Sequence, residues 1–411
     1  MFYGWWIVAS VFVAQFFIVG FFSYAFPLIL VSVKESFAAT TVEINMAMTT
    51  STVAGIFLPP IVGPLVDRWS ARKLMIIGAL MFASSLVLLS FSQSVAQFVL
   101  IFAVFLAPAN ILLGPVTGSA LVSRWFVASR GRALGVAATG TSVGGVILPF
   151  LVADWLVDWG WRPSLQILAG LVVLFILPML FLALRDHPAD AGVEAEGQGV
   201  QDADVAAEAD TGALWSNAEI LRSRAFWVIG ACLGLLFTAY MGLLGNMGLY
   251  LEGRGMDVAF TGTLISLVAF SGFLGKIGLG AASDRIGLRS GLWIALGLAG
   301  AGIGLFSMEP GSSMLVVAAC LLGLASGGML PVWGGMVAAA FGTANFGRAM
   351  GLMSPLIALL VMPGFLIAGW SDDTTGSFVL ALRIFMAEIA VASVLLLGLN
   401  LKSEPAVADG D

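Results

Sequence analysis

Gly63-Pro64-Leu65-Val66-Asp67-Arg68 and, 217 positions later, Gly280-Ala281-Ala282-Ser283-Asp284-Arg285 each close a long apolar run, and each is followed by a further arginine, Arg72 or Arg289. A second pair, Gly131-Arg132-Ala133-Leu134-Gly135 and Gly347-Arg348-Ala349-Met350-Gly351, recurs at an offset of 216, so one register holds across most of both halves. Two matched pairs at one offset mark a duplicated unit.

The unit is a membrane unit. Of the 411 residues, 60% are hydrophobic and 10% charged, with a mean hydropathy of +1.03, against roughly 25% charged residues in a soluble domain. A helix needs about 20 apolar residues to cross the hydrocarbon layer. Twelve such segments fit between the charged or turn-like breaks, beginning near residues 5, 42, 74, 96, 133, 164, 225, 260, 289, 313, 349 and 377; they are helices 1 to 12 below. The fold class is therefore an all-α membrane protein with twelve transmembrane helices in two pseudo-symmetric six-helix bundles. The 50 glycines suit close helix approach where lipid gives no hydrophobic drive for association. Continuous apolar runs disfavour a membrane β-barrel, whose strands alternate. The first run opens at Phe2 with no basic leader or cleavage site and reads as a retained helix, not a signal peptide. Parallel repeats of this kind point to transport, because two similar bundles can rock about a site at their interface.

With an even helix count both termini share one side. If that side is the cytoplasm, Arg68, Arg72, Lys73, Arg124, Arg130, Arg132, Arg185, Arg222, Arg224, Arg285, Arg289, Arg348 and Lys402 all fall there, out of 18 basic residues. Lys34, Arg162, Arg254 and Arg383 fall on or toward the other side. This is the positive-inside pattern of a cytoplasmic-membrane protein. The expected division is residues 1–185 as one bundle, 186–224 as an acidic linker ending in a short amphipathic helix, 225–402 as the second bundle, and 403–411 as a tail. From Asp186 to Asp210 acidic residues accumulate without Lys or Arg, which predicts a disordered tether and accounts for the pI of 4.9.

Enzyme chemistry finds no constellation. His187 sits in the loop Asp186-His187-Pro188, and Cys232 and Cys320 lie inside apolar helices with no ligand cluster. No metal-ligand spacing, nucleophile elbow or phosphate loop occurs, so the reading is a non-enzyme without metal or cofactor and without nucleic-acid contacts.

The doubled string resembles that of the major facilitator superfamily, whose loops after helices 2 and 8 carry Gly-x-x-x-Asp-Arg-x-Gly-x-Arg. The first copy departs from it with Ser70 in place of Gly; the second keeps Gly287. The resemblance covers nearly the whole chain and implies alternating access. Gly63, Asp67, Arg68, Arg72, Gly280, Asp284, Arg285 and Arg289, with Arg132 and Arg348, are then candidates for a conformational latch, the glycines admitting a close helix and the aspartates pairing with Arg or capping a helix. Within the superfamily, Ser23-Tyr24-Ala25-Phe26-Pro27 with Lys34-Glu35, the stretch Thr40 to Glu43, and Arg124-Trp125-Phe126 with Arg130-Gly131 resemble the monocarboxylate transporter family, including bacterial lactate-type carriers and, more distantly, oxalate/formate antiporters.

An ionisable side chain inside the membrane is a functional candidate by default. Lys276 precedes Asp284 by eight residues, about 12 Å of helix, which places it near the midplane. It must face a wet cavity or a partner such as Glu388. The family resemblance implies that a cation at this spacing, four residues before the loop glycine, binds the substrate carboxylate; Lys supplies a point charge where Arg would supply a fork. Two titratable positions of many family members are absent, with Leu28 following Pro27 and Gly272 one turn before Lys276. Lys276 and Glu388 are the remaining candidates for proton coupling, while Glu388 with Arg383 on helix 12 also reads as packing or anchoring. Asp154 and Asp158, among Trp155, Trp159 and Trp161, read as interfacial. Polar groups for the cavity are Tyr24, Asn110, Thr117, Thr141, Tyr240, Asn246 and Ser354, with Trp333 as an aromatic wall; each equally suits interhelix hydrogen bonding. The resulting expectation is a monomeric carrier of a small organic carboxylate working with protons or a counter-anion. The alternatives are an efflux carrier for amphipathic neutral or anionic compounds and a transport-inactive membrane sensor.

Overall fold

The structure is a computed structural model that describes residues 2–196 and 215–399. Its twelve spans are helix 1 Gly4–Phe37, helix 2 Thr41–Val62, helix 3 Ala71–Ser90, helix 4 Val95–Trp125, helix 5 Arg130–Trp159, helix 6 Trp161–Leu182, helix 7 Arg224–Gly245, helix 8 Val258–Ser283, helix 9 Leu288–Ser307, helix 10 Ser312–Phe341, helix 11 Phe346–Thr375 and helix 12 Val379–Leu397. Every start lies within three residues of its expected position. Helices 1 to 6 and 7 to 12 form two bundles packed side by side, and odd and even helices run in opposite directions. One end of the pair, the terminal end, therefore carries residues 2 and 399, and the far end carries the loops after helices 1, 3, 5, 7, 9 and 11.

Small residues set the helix spacing. A Cβ added to Gly144 on helix 5 would lie 2.1 Å from the Phe16 carbonyl oxygen on helix 1, and one on Gly327 of helix 10 would lie 2.0 Å from the Gly272 oxygen on helix 8. No larger side chain fits without driving those backbones apart.

Helices 1, 4 and 6 contain π-helical turns at Gly20–Ala25, Phe102–Leu106 and Val172–Ile176. Each is followed, two positions on, by a proline: Pro27, Pro108 or Pro178. A proline has no N–H and its ring crowds the carbonyl four residues back, and the wider turn accommodates both. Helix 4 also breaks at Gly114, before Pro115.

The repeat is carried into contacts. Arg72 donates to the carbonyls of Leu180 (3.4 Å) and Phe181 (2.6 Å) at the end of helix 6, and Arg289 donates to that of Leu397 (2.9 Å) at the end of helix 12. Arg72 to Leu180 and Arg289 to Leu397 are one contact repeated 217 positions on. At the variant position of the motif the halves part. Gly287 has φ +90°, a left-handed conformation that favours glycine, whereas Ser70 has φ −81° and caps helix 3 by accepting from the Lys73 N–H at 3.0 Å. Ser70 also donates to Asp186, which accepts from the Arg72 N–H at 3.0 Å.

Asp186 thus begins an ordered segment, and the expectation of a tether disordered from that residue is corrected for 186–196. Residues Pro188–Ala191 form a 3-10 turn. The Glu196 backbone bonds to Trp125 and Val127, and its carboxylate accepts from the Ser129 N–H at the start of helix 5. Hydrogen bonding to the backbone supplies what hydrophobic burial does not. The rest of that expectation, residues 197–210, lies outside the described residues, as do Lys402 and the tail. The expected amphipathic lead-in is a helix at Asn217–Arg222, capped by Ser216 and Glu219. The Trp215 N–H donates to Asn345, and Arg348 donates to the Trp215 carbonyl.

Candidate functional site

The two bundles touch along helices 2 and 11 and along helices 5 and 8, and the contacts have a direction. At the far end, Asp373 on helix 11 accepts from the Thr41 and Val42 N–H groups at 2.7 and 2.8 Å, closing the open N-terminus of helix 2. Asp372 takes an ion pair from Lys34 at 3.0 Å. One layer deeper, the Asn45 amide donates to Asn246 and to the Phe365 carbonyl, both at 2.8 Å. On the other seam Ser266 of helix 8 donates to the Val146 carbonyl of helix 5 at 2.8 Å. Toward the terminal end the bundles part. Added Cβ atoms at Gly55, Gly131, Gly135, Gly278, Gly347 and Gly351 would meet nothing within 4 Å.

Lys276 marks where contact ends. Its ammonium donates to the Ser142 hydroxyl at 3.0 Å and the Thr141 hydroxyl at 3.2 Å, both on helix 5 across the bundle interface. Among the described residues no carboxylate lies within 4.0 Å of it, so the expected alternative of an ion pair with Glu388 is not formed. Nor does Arg383 pair with Glu388, whose Oε2 is buried without a protein hydrogen bond.

Tyr24 and Tyr240 approach one another across the interface, with Ser326 on helix 10 beside Tyr240. Ser326 also lies against Gly272, 3.2 Å from an added Cβ. Tyr24 itself packs on Gly145 of helix 5. The π-helical turn of helix 1 places it there, since Tyr24 lies within Gly20–Ala25. Lys276, Thr141, Tyr24 and Tyr240 are thus gathered in one central region with Ser142, Gly272 and Ser326.

Other sequence candidates lie elsewhere. Asn246 belongs to the far-end closure, and it donates to the Gly242 carbonyl. Thr117 is buried in helix 4 and donates at 3.3 Å to the Ile111 carbonyl freed at the Gly114 break. Asn110 sits half-buried just before that break. The Trp333 indole donates to the Met353 sulfur at 3.2 Å, and Ser354 is exposed with its hydroxyl on the Met350 carbonyl. Arg72, Arg289 and Arg348 make the contacts given above within their own half of the chain, and Arg132 and Arg285 are exposed. Gly63 and Gly280 lie in helices 2 and 8; the side chains of Asp67, Arg68 and Asp284 are outside what the structure describes. In this state the contacts of Arg72, Arg289 and Arg348 among the described residues are struts within their own half of the chain.

Sequence reasoning missed Ser142 and Ser326. A serine in an apolar helix ordinarily returns its hydroxyl to its own backbone, and nothing local distinguishes one that faces a cation on another helix.

The family model described as Major Facilitator Superfamily matches residues 11–308. Among curated proteins, the chain is similar to "Membrane sensor protein UhpC" of Salmonella typhimurium, 28% identical over 54% of this chain and 52% of that protein, so the match spans about half the relative's length. It is similar to the "Fujikurins efflux protein" of Gibberella fujikuroi, 26% identical over 83% of this chain and 70% of that one. It is also similar to "Monocarboxylate transporter 13" of Rattus norvegicus, 22% identical over 97% and 89%. Among solved structures, a bacterial homolog of the human lysosomal transporter Spinster, in an inward-facing and occupied conformation, superposes with a TM-score of 0.75 at 13% identity, covering 96% of both chains.

Proposed function

The chain belongs to the major facilitator superfamily, and from that premise we propose that it is a secondary carrier of small organic monocarboxylates that works by alternating access. The observation that carries this reading is Lys276: a cation in the middle of an apolar helix, at the junction of the bundles, held by hydroxyls and, among the described residues, not by a carboxylate. A buried charge without a counter-ion favours an anionic partner. The central surroundings of tyrosine and serine hydroxyls and glycine suit a short acid with few polar atoms.

The substrate enters from the end where the bundles are parted, Lys276 neutralises its carboxylate, and closure of that end with opening of the other releases it. The carrier is a monomer in the cytoplasmic membrane, with both termini on the cytoplasmic side, following the distribution of Lys and Arg. It uses no metal or cofactor, makes no covalent intermediate and binds no nucleic acid. The coupling partner is a proton or a counter-anion, with Lys276 and Glu388 the groups available to carry a proton. Asp67, Arg68, Asp284 and Arg285 act as the latch when the terminal end closes.

The test is counterflow uptake in proteoliposomes against labelled lactate, pyruvate, acetate and oxalate, with and without an imposed pH gradient. Lys276→Ala abolishes uptake while the protein still purifies as a folded monomer. Wild-type uptake by that variant overturns the anion role.

A second reading, efflux of amphipathic neutral or anionic compounds, is supported by the similarity to an efflux protein over 83% of the chain. Competition by lipophilic compounds with none by any short acid selects it. Substrate binding without flux selects a sensor, the class named for the first relative above.

A further inference from the structure

We propose that Ser142 is the second prong of the carboxylate grip, so that one anion is held jointly by helix 8 of one bundle and helix 5 of the other; this rests on the carboxylate reading above. A carboxylate is best held by two parallel donors, the geometry that arginine provides alone. Lys276 provides one direction only, and a partner donor must come from elsewhere.

The two hydroxyls beside Lys276 differ in what they have left to give. Thr141 donates its proton to the Ala138 carbonyl at 2.9 Å, as helical threonines commonly do, and toward Lys276 it serves as an acceptor. Ser142, buried at 4% exposure, accepts from Lys276 and donates in no other hydrogen bond among the described residues. A serine hydroxyl carries one proton and two lone pairs. Its proton is uncommitted, 3.0 Å from an ammonium with three donors of which two are engaged. Lys276 and Ser142 therefore present two donors side by side, at a separation that the two oxygens of one carboxylate can span.

The position of this pair gives it a second consequence. Helices 5 and 8 touch from the far end as far as these residues and are apart beyond them. An anion bound between Lys276 and Ser142 bridges the bundles at the edge of their contact, so occupancy and bundle approach are linked through one ligand.

The experiment uses full-length protein in proteoliposomes and the best-transported acid of the panel above, comparing Ser142→Ala, Ser142→Thr and Thr141→Val. Loss of one charge-assisted hydrogen bond predicts that Ser142→Ala raises KM about tenfold or more. Ser142→Thr, whose hydroxyl can turn back to its own backbone as that of Thr141 does, raises KM less than Ser142→Ala, and Thr141→Val has the smaller effect of the two deletions. The acid raises the melting temperature of the wild type and not of Ser142→Ala. If Ser142→Ala does not fold, Ser142→Cys, a weaker donor of similar size, gives an intermediate KM. An unchanged KM in Ser142→Ala beside an inactive Lys276→Ala overturns the shared grip and leaves the carboxylate reading standing; an active Lys276→Ala overturns the reading itself. A KM raised equally for the acid and for its uncharged amide marks Ser142 as packing only and also overturns the proposal.

Discussion

Arg72 and Arg289 hold equivalent places in the two halves, and what each touches decides what its loss would do. Both guanidinium groups reach carbonyls at the last turn of the final helix of their own bundle, where the backbone leaves oxygens without partners. A cation there also complements the helix dipole. Arg72→Ala and Arg289→Ala should therefore each cost about 1.5–3 kcal/mol, the range for hydrogen bonds to a charged donor, read as a lower melting temperature in detergent. The balance between inward-open and outward-open states, read by cysteine accessibility at each end, should stay as in the wild type. A shift of that balance without loss of melting temperature would restore the latch reading for these two residues. Ser70 is a smaller case of the same kind. It caps helix 3 where the superfamily pattern has glycine, so Ser70→Ala should cost about 1 kcal/mol in the same melting assay.

The proline-linked π turns decide which way the helices face, an element-scale effect that no single contact carries. A π turn inserts one residue into the α register, rotating everything beyond it by about 100°. In helix 1 the turn covers Gly20–Ala25, and Tyr24, which meets Tyr240 across the interface, lies inside it. Pro27→Ala removes the steric reason for the wide turn, lets helix 1 return to α geometry and turns Tyr24 away from helix 7. The expected outcome is a folded protein whose KM rises at least as much as in Tyr24→Phe; a wild-type KM would show that the turn persists without the proline. At this scale the sequence was legible where the signal was loud. Twelve apolar runs and a motif repeated 217 residues apart give the helices and their pairing, and Lys276 stands out because a charge in such a run has few reasons to exist. Ser142 was hidden because hydroxyls are common in membrane helices, and only the approach of helix 8 turns this one toward an ammonium. Glu196 was hidden for a related reason: an acidic, apolar-poor stretch predicts disorder, and its order comes from backbone bonds to the end of helix 4 and the turn after it, with its carboxylate on the Ser129 N–H, none of which composition encodes.

At the scale of the whole molecule, the cross-bundle bonds among the described residues lie from the centre to the far end, and this asymmetry defines the state. Alternating access requires that this closure be strong enough to populate the state and weak enough to be exchanged for closure at the other end. The far-end contacts are of unequal worth. Lys34 and Asp372 are 30% and 17% exposed, and such a pair contributes little by itself. Asp373 is the stronger element, because its carboxylate accepts two backbone N–H groups at the start of helix 2, where the helix dipole favours negative charge. Charge-assisted bonds of this kind are worth about 1.5–3 kcal/mol, and roughly 3 kcal/mol moves a 99:1 population to near parity. Asp373→Asn keeps a single amide oxygen and loses both the charge and one acceptor, and Asp372→Asn removes the charge facing Lys34. With spin labels on the far-end loops after helices 1 and 11, the double variant should show a second, longer distance, populated to tens of per cent, where the wild type shows one. The asparagine amides Asn45 and Asn246 remain in the double variant, so the closure should weaken without being lost. A distance distribution identical to wild type would mean that packing of helix 2 on helix 11, with Gly369 set against the Val42 backbone, holds the far end shut without the two aspartates.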